Sequence, residues 1–210
     1  QVEKDLRMSP GESTEIAGMR VSFDGVHERR GPTYVAARGP LQLTRDDAHH
    51  IHPRWAPDSS TLIYFTPAPA GADAGTIWEI GALGGWPRRV ATSISAGDLS
   101  HDGRRIALFQ SVDDQLALVV SARDGSGSDR VALLPPGTYS PPRWAPDDRS
   151  IAVQRLDQTA FDGHLEVIDL ASGERHDVVG GSWLHGFAWL SDGSGFVYSS
   201  SRDSSVLYPP

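Results

Sequence analysis

The chain of 210 residues contains no cysteine. That excludes disulfide bridges, thiolate nucleophiles and every zinc site built on sulfur, and it leaves the compartment open. No stretch approaches the ~18–20 consecutive apolar residues of a membrane-spanning helix. No basic-then-apolar segment follows Gln1, as expected of a chain that lacks a leader or has already lost one. Basic residues are outnumbered, 19 against 27 acidic, for a net charge of −8. A nucleic-acid surface, which needs clustered Lys and Arg to replace phosphate counterions, is therefore not expected. The pairs Arg29–Arg30, Arg88–Arg89 and Arg104–Arg105 read as solvated turn residues. Familiar catalytic signatures are missing too: no Gly-x-Ser-x-Gly elbow, no P-loop and no Gly-x-Gly-x-x-Gly opening a helix. The Gly/Ser-rich "DGSGSD" at 124–129 falls between strands, without the helix N-terminus that a phosphate cradle uses. What remains is 39% apolar with a mean hydropathy of −0.33, a soluble globular composition. At this length it suits one sizeable core, or several small units that share one.

Four stretches repeat: "HPRWAPDSSTLIYF", "AGDLSHDGRRIALF", "PPRWAPDDRSIAVQ" and "HGFAWLSDGSGFVY". Aligned on Asp58, Asp102, Asp147 and Asp192, they are spaced 44, 45 and 45 residues apart, and three residues before each Asp stands Trp55, Leu99, Trp144 or Trp189. A fixed period of this length marks a repeat architecture and takes precedence over any single motif. Within each unit, short runs of β-branched and aromatic residues are separated by Asp/Gly/Ser/Pro turns, including Gly84-Gly85, Asp124-Gly125-Ser126 and Ser172-Gly173. Four strands in ~40–45 residues is one blade of a β-propeller. Each turn Asp is expected to bond its own backbone two residues on. The tryptophans are expected between neighbouring blades, where burial of one is worth at least ~1.5–3 kcal/mol.

This pattern, P-x-W-[AS]-P-D followed by "IAxxx", a Gly turn and "RRVA", resembles the WD-like repeats of TolB-type bacterial propellers. It is most similar to those carried as sensor or scaffold domains behind bacterial kinase or DNA-binding domains. The resemblance covers about residues 40–210, in units of about 45–91, 92–135, 136–179 and 180–210. It implies a bacterial module that binds proteins or ligands rather than an enzyme, soluble in the cytoplasm or periplasm. Residues 3–39 are of another kind. Their "DLRMSPGES", "FDGV" and "GPTYVAARG" resemble a short stretch of the extracytoplasmic C-terminal part of the CcmF family, the haem-lyase subunit of cytochrome c maturation. That family's haem work depends on membrane helices and a Trp-rich loop, so the resemblance implies no haem function here. "TEIAGMRVSF" and "TYVAA" read as strands in this segment.

The chain is thus expected to be a chimeric or truncated propeller fragment: all-β, with four-stranded antiparallel blades, three of them full and one a half. "LQLT" at 41–44 is an orphan outermost strand, and the fourth unit has only its two inner strands before "VLYPP". An open half-blade presents unpaired backbone groups and an apolar face. Residues 1–39 are expected to complete a blade, within one chain or by strand exchange with another copy. Exchange in a homodimer is the favoured arrangement, because four-bladed rings are the small limit for propellers and exchange is a low-cost route to dimers.

The candidate site is the mouth of the central channel, where the inner strands of the blades begin. His49, His50, His52 and His185 all fall there, with Asp98, Tyr139 and Trp183 as candidate ligand-binding residues. His49-x-x-His52 and His50-x-His52 are spacings that imidazole metal sites use, and a set without sulfur suits zinc or a similar divalent ion. Two readings follow. One is a binding or scaffold module that takes a small-molecule or protein ligand at the mouth, with neither nucleic acid nor membrane as a partner. The other is a metal-assisted, promiscuous ester or phosphoester hydrolase on those four histidines. No catalytic residue is assigned. His27, His101, His164 and His176 are expected on the surface.

Overall fold

The computed structural model describes residues 9–16, 19–23, 25, 27–30, 35–38, 46–157, 162–180 and 183–201. Among them there is no helix, and so none long and apolar enough to cross a membrane. The orphan strand expected at 41–44 and the terminal "VLYPP" lie outside the described residues. The chain forms two compact units, one of Gln1–Asp47 with Ile80–Pro87 and the other of Ala48–Glu79 with Arg88–Pro210.

In the first unit, β1 (Glu12–Ile16) pairs antiparallel with β2 (Met19–Phe23), and β3 (His27–Arg30) with β4 (Val35–Arg38). β1 begins at a tight turn. There the Gly11 N–H reaches the Phe23 carbonyl at 2.7 Å, and the Ser9 N–H donates to Glu12 Oε2 at 2.7 Å.

The repeats form consecutive blades. β5 (Ile51–Trp55), β6 (Thr61–Thr66), β7 (Gly75–Gly81) and β8 (Arg88–Ser93) make the first sheet in that order. β9 (Asp98–Leu99), β10 (Arg105–Val112), β11 (Gln115–Ala122) and β12 (Ser128–Leu133) make the second. In the third, β13 (Thr138–Tyr139) and β14 (Arg143–Trp144) are two pieces of one inner strand, followed by β15 (Ser150–Asp157), β16 (Asp162–Asp169) and β17 (Arg175–Val179). The fourth has β18 (Trp183–Trp189) and β19 (Phe196–Ser201) only, among the described residues. All pairings given are antiparallel, as expected of propeller blades.

The turn aspartates behave as local chemistry dictates. Asp58, Asp102, Asp147 and Asp192 accept at Oδ1 from the backbone N–H of Ser60, Arg104, Arg149 and Ser194, at 2.9–3.0 Å. Hydrogen bonds from Ser60, Ser100 and Ser194 hold the carboxyls of Asp58, Asp102 and Asp192 below their ordinary range. The residue after each Asp takes a positive φ: Ser59 at +56°, Gly103 at +70°, Asp148 at +57° and Gly193 at +73°. Only glycine does so freely, so Ser59 and Asp148 are held by the turn itself.

The core lies between the blades. Ile63, Phe65 and Ile77 of the first pack with Leu99, Ile106 and Leu108 of the second. Ala107, Phe109 and Leu118 of the second pack with Trp144, Ile151 and Val153 of the third. Ala152 and Leu165 of the third meet Leu184, Phe187, Trp189 and Phe196 of the fourth. The tryptophans add a directional bond. Trp144 Nε1–H donates to the Asp98 carbonyl at 2.9 Å, and Trp189 Nε1–H to the Arg143 carbonyl at 3.3 Å, each reaching back 46 residues. Trp55 departs from the expectation of burial: it is 54% exposed, because no sheet of the blade row precedes its own.

Replacing Trp144 by Phe keeps most of the apolar surface but leaves the Asp98 carbonyl without its donor. Urea unfolding should show a loss of about 1–3 kcal/mol. Trp86→Phe, at an exposed site, should change stability by less than about 0.5 kcal/mol.

Candidate functional site at the inner strands

Every inner strand is interrupted near its start. In β5 the register slips by one residue between Ile51 and Arg54, leaving His52 and Pro53 in a bulge. In the second blade the Ile94 N–H bonds the Phe109 carbonyl, and regular pairing resumes at Asp98. In the third the break falls between β13 and β14, at Ser140-Pro141-Pro142. In β18 the slip lies between Leu184 and Gly186, so His185 occupies the bulge. The sequence explains these breaks. Proline has no N–H to give to the ladder, so Pro53 and the Pro141-Pro142 pair suspend pairing where they stand. Gly97 has a different cause: a Cβ there would come within 2.7 Å of the Ala107 carbonyl and 2.9 Å of Ile77 Cδ1, so the close approach of the first two blades requires glycine.

His52 has φ +53° and immediately precedes a proline. Both features are unfavourable for a residue with a side chain, and such a conformation costs about 1–3 kcal/mol. Its side chain is exposed, as are those of His49 and His185. His50 is half-buried, with its ring edge-on to Tyr64 at 4.7 Å and Nδ1 within 2.9 Å of Thr66 Oγ1. Among the described residues no three or more His, Asp or Glu side chains come together in a group able to hold a metal ion. Among the described residues the four histidines are thus not gathered into one ligand set within a chain.

The other candidates are engaged in the joints. Asp98 is largely buried: its Oδ2 accepts from the Trp144 backbone N–H at 3.0 Å, and Oδ1 lies 3.6 Å from Arg143 Nη1. Burial pushes its carboxyl up to about 6, against the Trp144 N–H and the charges of Arg54 and His101, which favour ionisation. The Tyr139 hydroxyl donates to the Pro135 carbonyl at 3.0 Å and its ring packs on Phe109. Burial, followed by the negative charge of Glu166, pushes its phenol up to about 12. Trp183 lies on β18, and its side chain is outside the described residues. The Ser140 hydroxyl, in the break of the third inner strand, is buried with no hydrogen-bond partner.

The sequence reading missed a second cluster. Glu79, on the core-facing phase of β7, is gripped by Arg88 and by Arg123 of the next blade, whose Nη2 also reaches Thr61 Oγ1 at 2.6 Å. Burial pushes the Glu79 carboxyl up, but bonds and charge from Arg123 and Arg88 more than reverse this and hold it below its ordinary range. These residues line an open cleft of about 850 Å³ with Arg104 and Arg105. Arg105 stacks on Trp144 at 4.7 Å and bonds the Asp148 carbonyl at 3.1 Å. Arg105 is therefore a structural cation, and Arg88, though exposed, is tied to Glu79. Glu166 repeats the theme with Arg155 at 3.2 Å and Arg175 at 3.5 Å. For Glu79 the signal was present, an acid on a strand otherwise apolar at that phase; for Glu166 it was not, since Asp162 and His164 share its phase. His164, expected on the surface, is largely buried, 3.4 Å from Asp162.

Against known proteins, residues 1–54 match the family described as the CcmF C-terminal beta-sandwich. The cytochrome c-type biogenesis protein CcmF of Pseudomonas aeruginosa is 35% identical over 78 residues, 35% of this chain and 11% of that protein. The chain therefore spans only about a tenth of that relative's length. TolB from Acinetobacter baumannii is similar in structure, with a TM-score of 0.65 at 14% identity, over 87% of this chain and 48% of that one. A putative TolB from Agrobacterium tumefaciens gives a TM-score of 0.62 at 20% identity, over 80% and 58%. At such identities the likeness is one of fold. The chain therefore joins an N-terminal segment similar to the CcmF C-terminal domain to blades of a TolB-like propeller.

Asp98 supplies a pH test. Its folded value, about 6, lies above its ordinary value of 3.8, so the folded state holds the proton more tightly. The stabilisation is full below pH about 4 and is lost as pH rises through about 6. The stability of the wild type minus that of Asp98→Asn should fall by up to about 3 kcal/mol across that window, measured by urea unfolding, and stay level above it.

Proposed function

We propose that this chain is a β-propeller binding module that takes a peptide or small polar ligand at the interrupted ends of its inner strands. The reading is carried by His52, an exposed side chain held at positive φ in a strand bulge. Bulges and strained residues re-aim side chains and concentrate at binding sites. Two further features support it. His185 occupies the matching bulge of the fourth blade, and the buried Ser140 hydroxyl of the third has its hydrogen bonds unmade. Imidazoles and a hydroxyl offer both donors and acceptors, which suits polar groups of a peptide or small molecule. The fold likeness to TolB propellers is consistent with a scaffold role.

The alternative is a metal-assisted hydrolase on His49, His50, His52 and His185. The binding reading is better supported because the described residues hold no group of three or more potential metal ligands.

Selection of a phage-displayed heptapeptide library on the wild-type protein should yield clones that bind it and lose binding to the triple variant His49→Ala, His52→Ala, His185→Ala. Clones indifferent to the three substitutions would count against the site. Stoichiometric zinc with chelator-sensitive ester hydrolysis, abolished by His50→Ala with His52→Ala, would replace binding by the hydrolase. The strain makes its own prediction. His52→Gly should raise stability by up to about 1 kcal/mol in urea unfolding, and His52→Val should lower it.

A further inference from the structure

Two positions of the repeat form the heart of every internal joint. One is the forward-facing residue five after the turn Asp: Ile63, Ala107 and Ala152, which are 0–1% exposed. The other is the backward-facing residue three before it: Leu99 and Trp144, at 6% and 2%, and Trp189, packed in the third joint. At the two ends of the blade row the same positions are bare. Trp55 at the leading end is 54% exposed, and Val197 at the trailing end is 63% exposed. The carbonyl that would receive the indole of a further blade belongs to Ala188, which stands where Asp98 and Arg143 stand in their blades and is also exposed.

We propose that these two ends are the halves of one more joint, made between two copies of this chain. Trp55 of one copy packs on Ala188 and Val197 of the other, with its Nε1–H donating to the Ala188 carbonyl. The partner is identified by the repeat itself. An end shaped to receive a Trp-bearing blade and an end bearing that Trp are complementary, and a second copy supplies both. Two copies joined twice close on themselves, whereas a single joint per pair would leave one Trp55 and one Val197 still exposed. Such a joint puts an aromatic anchor into a small-residue face, the arrangement that dominates interface energetics. This inference rests on the ends of the blade row, and it stands independently of any ligand at the inner strands.

Sedimentation equilibrium of the full chain over a concentration series tests it. The wild type should be a dimer. Trp55→Ala and Val197→Lys, both at exposed sites and with unchanged circular dichroism, should each raise the dimer dissociation constant about 30-fold or more. Mixing the two variants should partly restore dimers, since the mixed pair keeps one intact joint, between Trp55 of the Val197→Lys chain and Val197 of the Trp55→Ala chain. A monomeric wild type would overturn the proposal. So would dimers indifferent to both substitutions, or a mixture that associates no better than either variant alone. Longer head-to-tail assemblies would overturn closure by two copies.

Discussion

The bond from a tryptophan indole to a carbonyl of the preceding inner strand is the interaction around which the other joints are arranged. Apolar packing between sheets is non-directional and tolerates sliding. A buried N–H that finds one carbonyl fixes how far each blade is displaced along its neighbour. Trp144 makes that bond to the Asp98 carbonyl, and its backbone N–H donates a second to the Asp98 carboxyl, so the second and third blades are held by two bonds from one residue. At the outer turn of the same joint, Asp148 accepts from the backbone N–H groups of His101 and Asp102 at 2.7 and 2.9 Å. The joint between the first and second blades lacks an indole, because Leu99 stands at that position. Here Arg123 crosses to Glu79 and Thr61 and also bonds the Gly103 carbonyl of its own blade. A polar clamp at the outer side thus takes over the directional role that the tryptophan has elsewhere.

What was legible in the sequence was local or periodic. The turn aspartates bond their own backbone whatever surrounds them, so their role followed from one residue and its two successors. Strands came from alternation between turns, and the blades came from a spacing of 44–45 residues. The misreadings concern what lies across a joint. Trp55 has the same local sequence as Trp144, and only the lack of a preceding blade in the row separates their fates. Asp98 was taken as a ligand group because it begins an inner strand; its use as an acceptor for Trp144 depends on a residue 46 positions away. Arg88 and Arg105 were assigned to solvent from their neighbours in sequence, while their partners are Glu79 on an adjacent strand and Trp144 on the next blade. His52 is a different case. The rule for residues before proline argues against its positive φ, so no local reading could have placed it.

The interrupted inner strands show how a repeat can carry a site without losing its joints. The joint positions are fixed by packing and by the indole bond. Three residues before them, the chain carries His52, Ala96, Pro141 and Gly186, four residue types with nothing chemical in common. Pairing is suspended there, and the packing demand differs from blade to blade: Ala96 is buried in the first joint, whereas His52 is exposed. An exposed residue such as His52 therefore costs the fold little beyond the strain of its own backbone.

The same suspension bears on how two unlike segments share one chain. The match to the CcmF beta-sandwich family runs to residue 54, inside β5, so the two resemblances overlap on the first inner strand and do not abut at a linker. In β5, Ile51 pairs with Phe65, while Arg54 and Trp55 pair with Ile63 and Leu62 one residue out of step. The bulge at His52-Pro53 resets the register between these two pairings. Ile51, on the upstream side of the bulge, still packs against the first core cluster, so the change of register is taken up inside the strand while both of its ends stay tied to the blade.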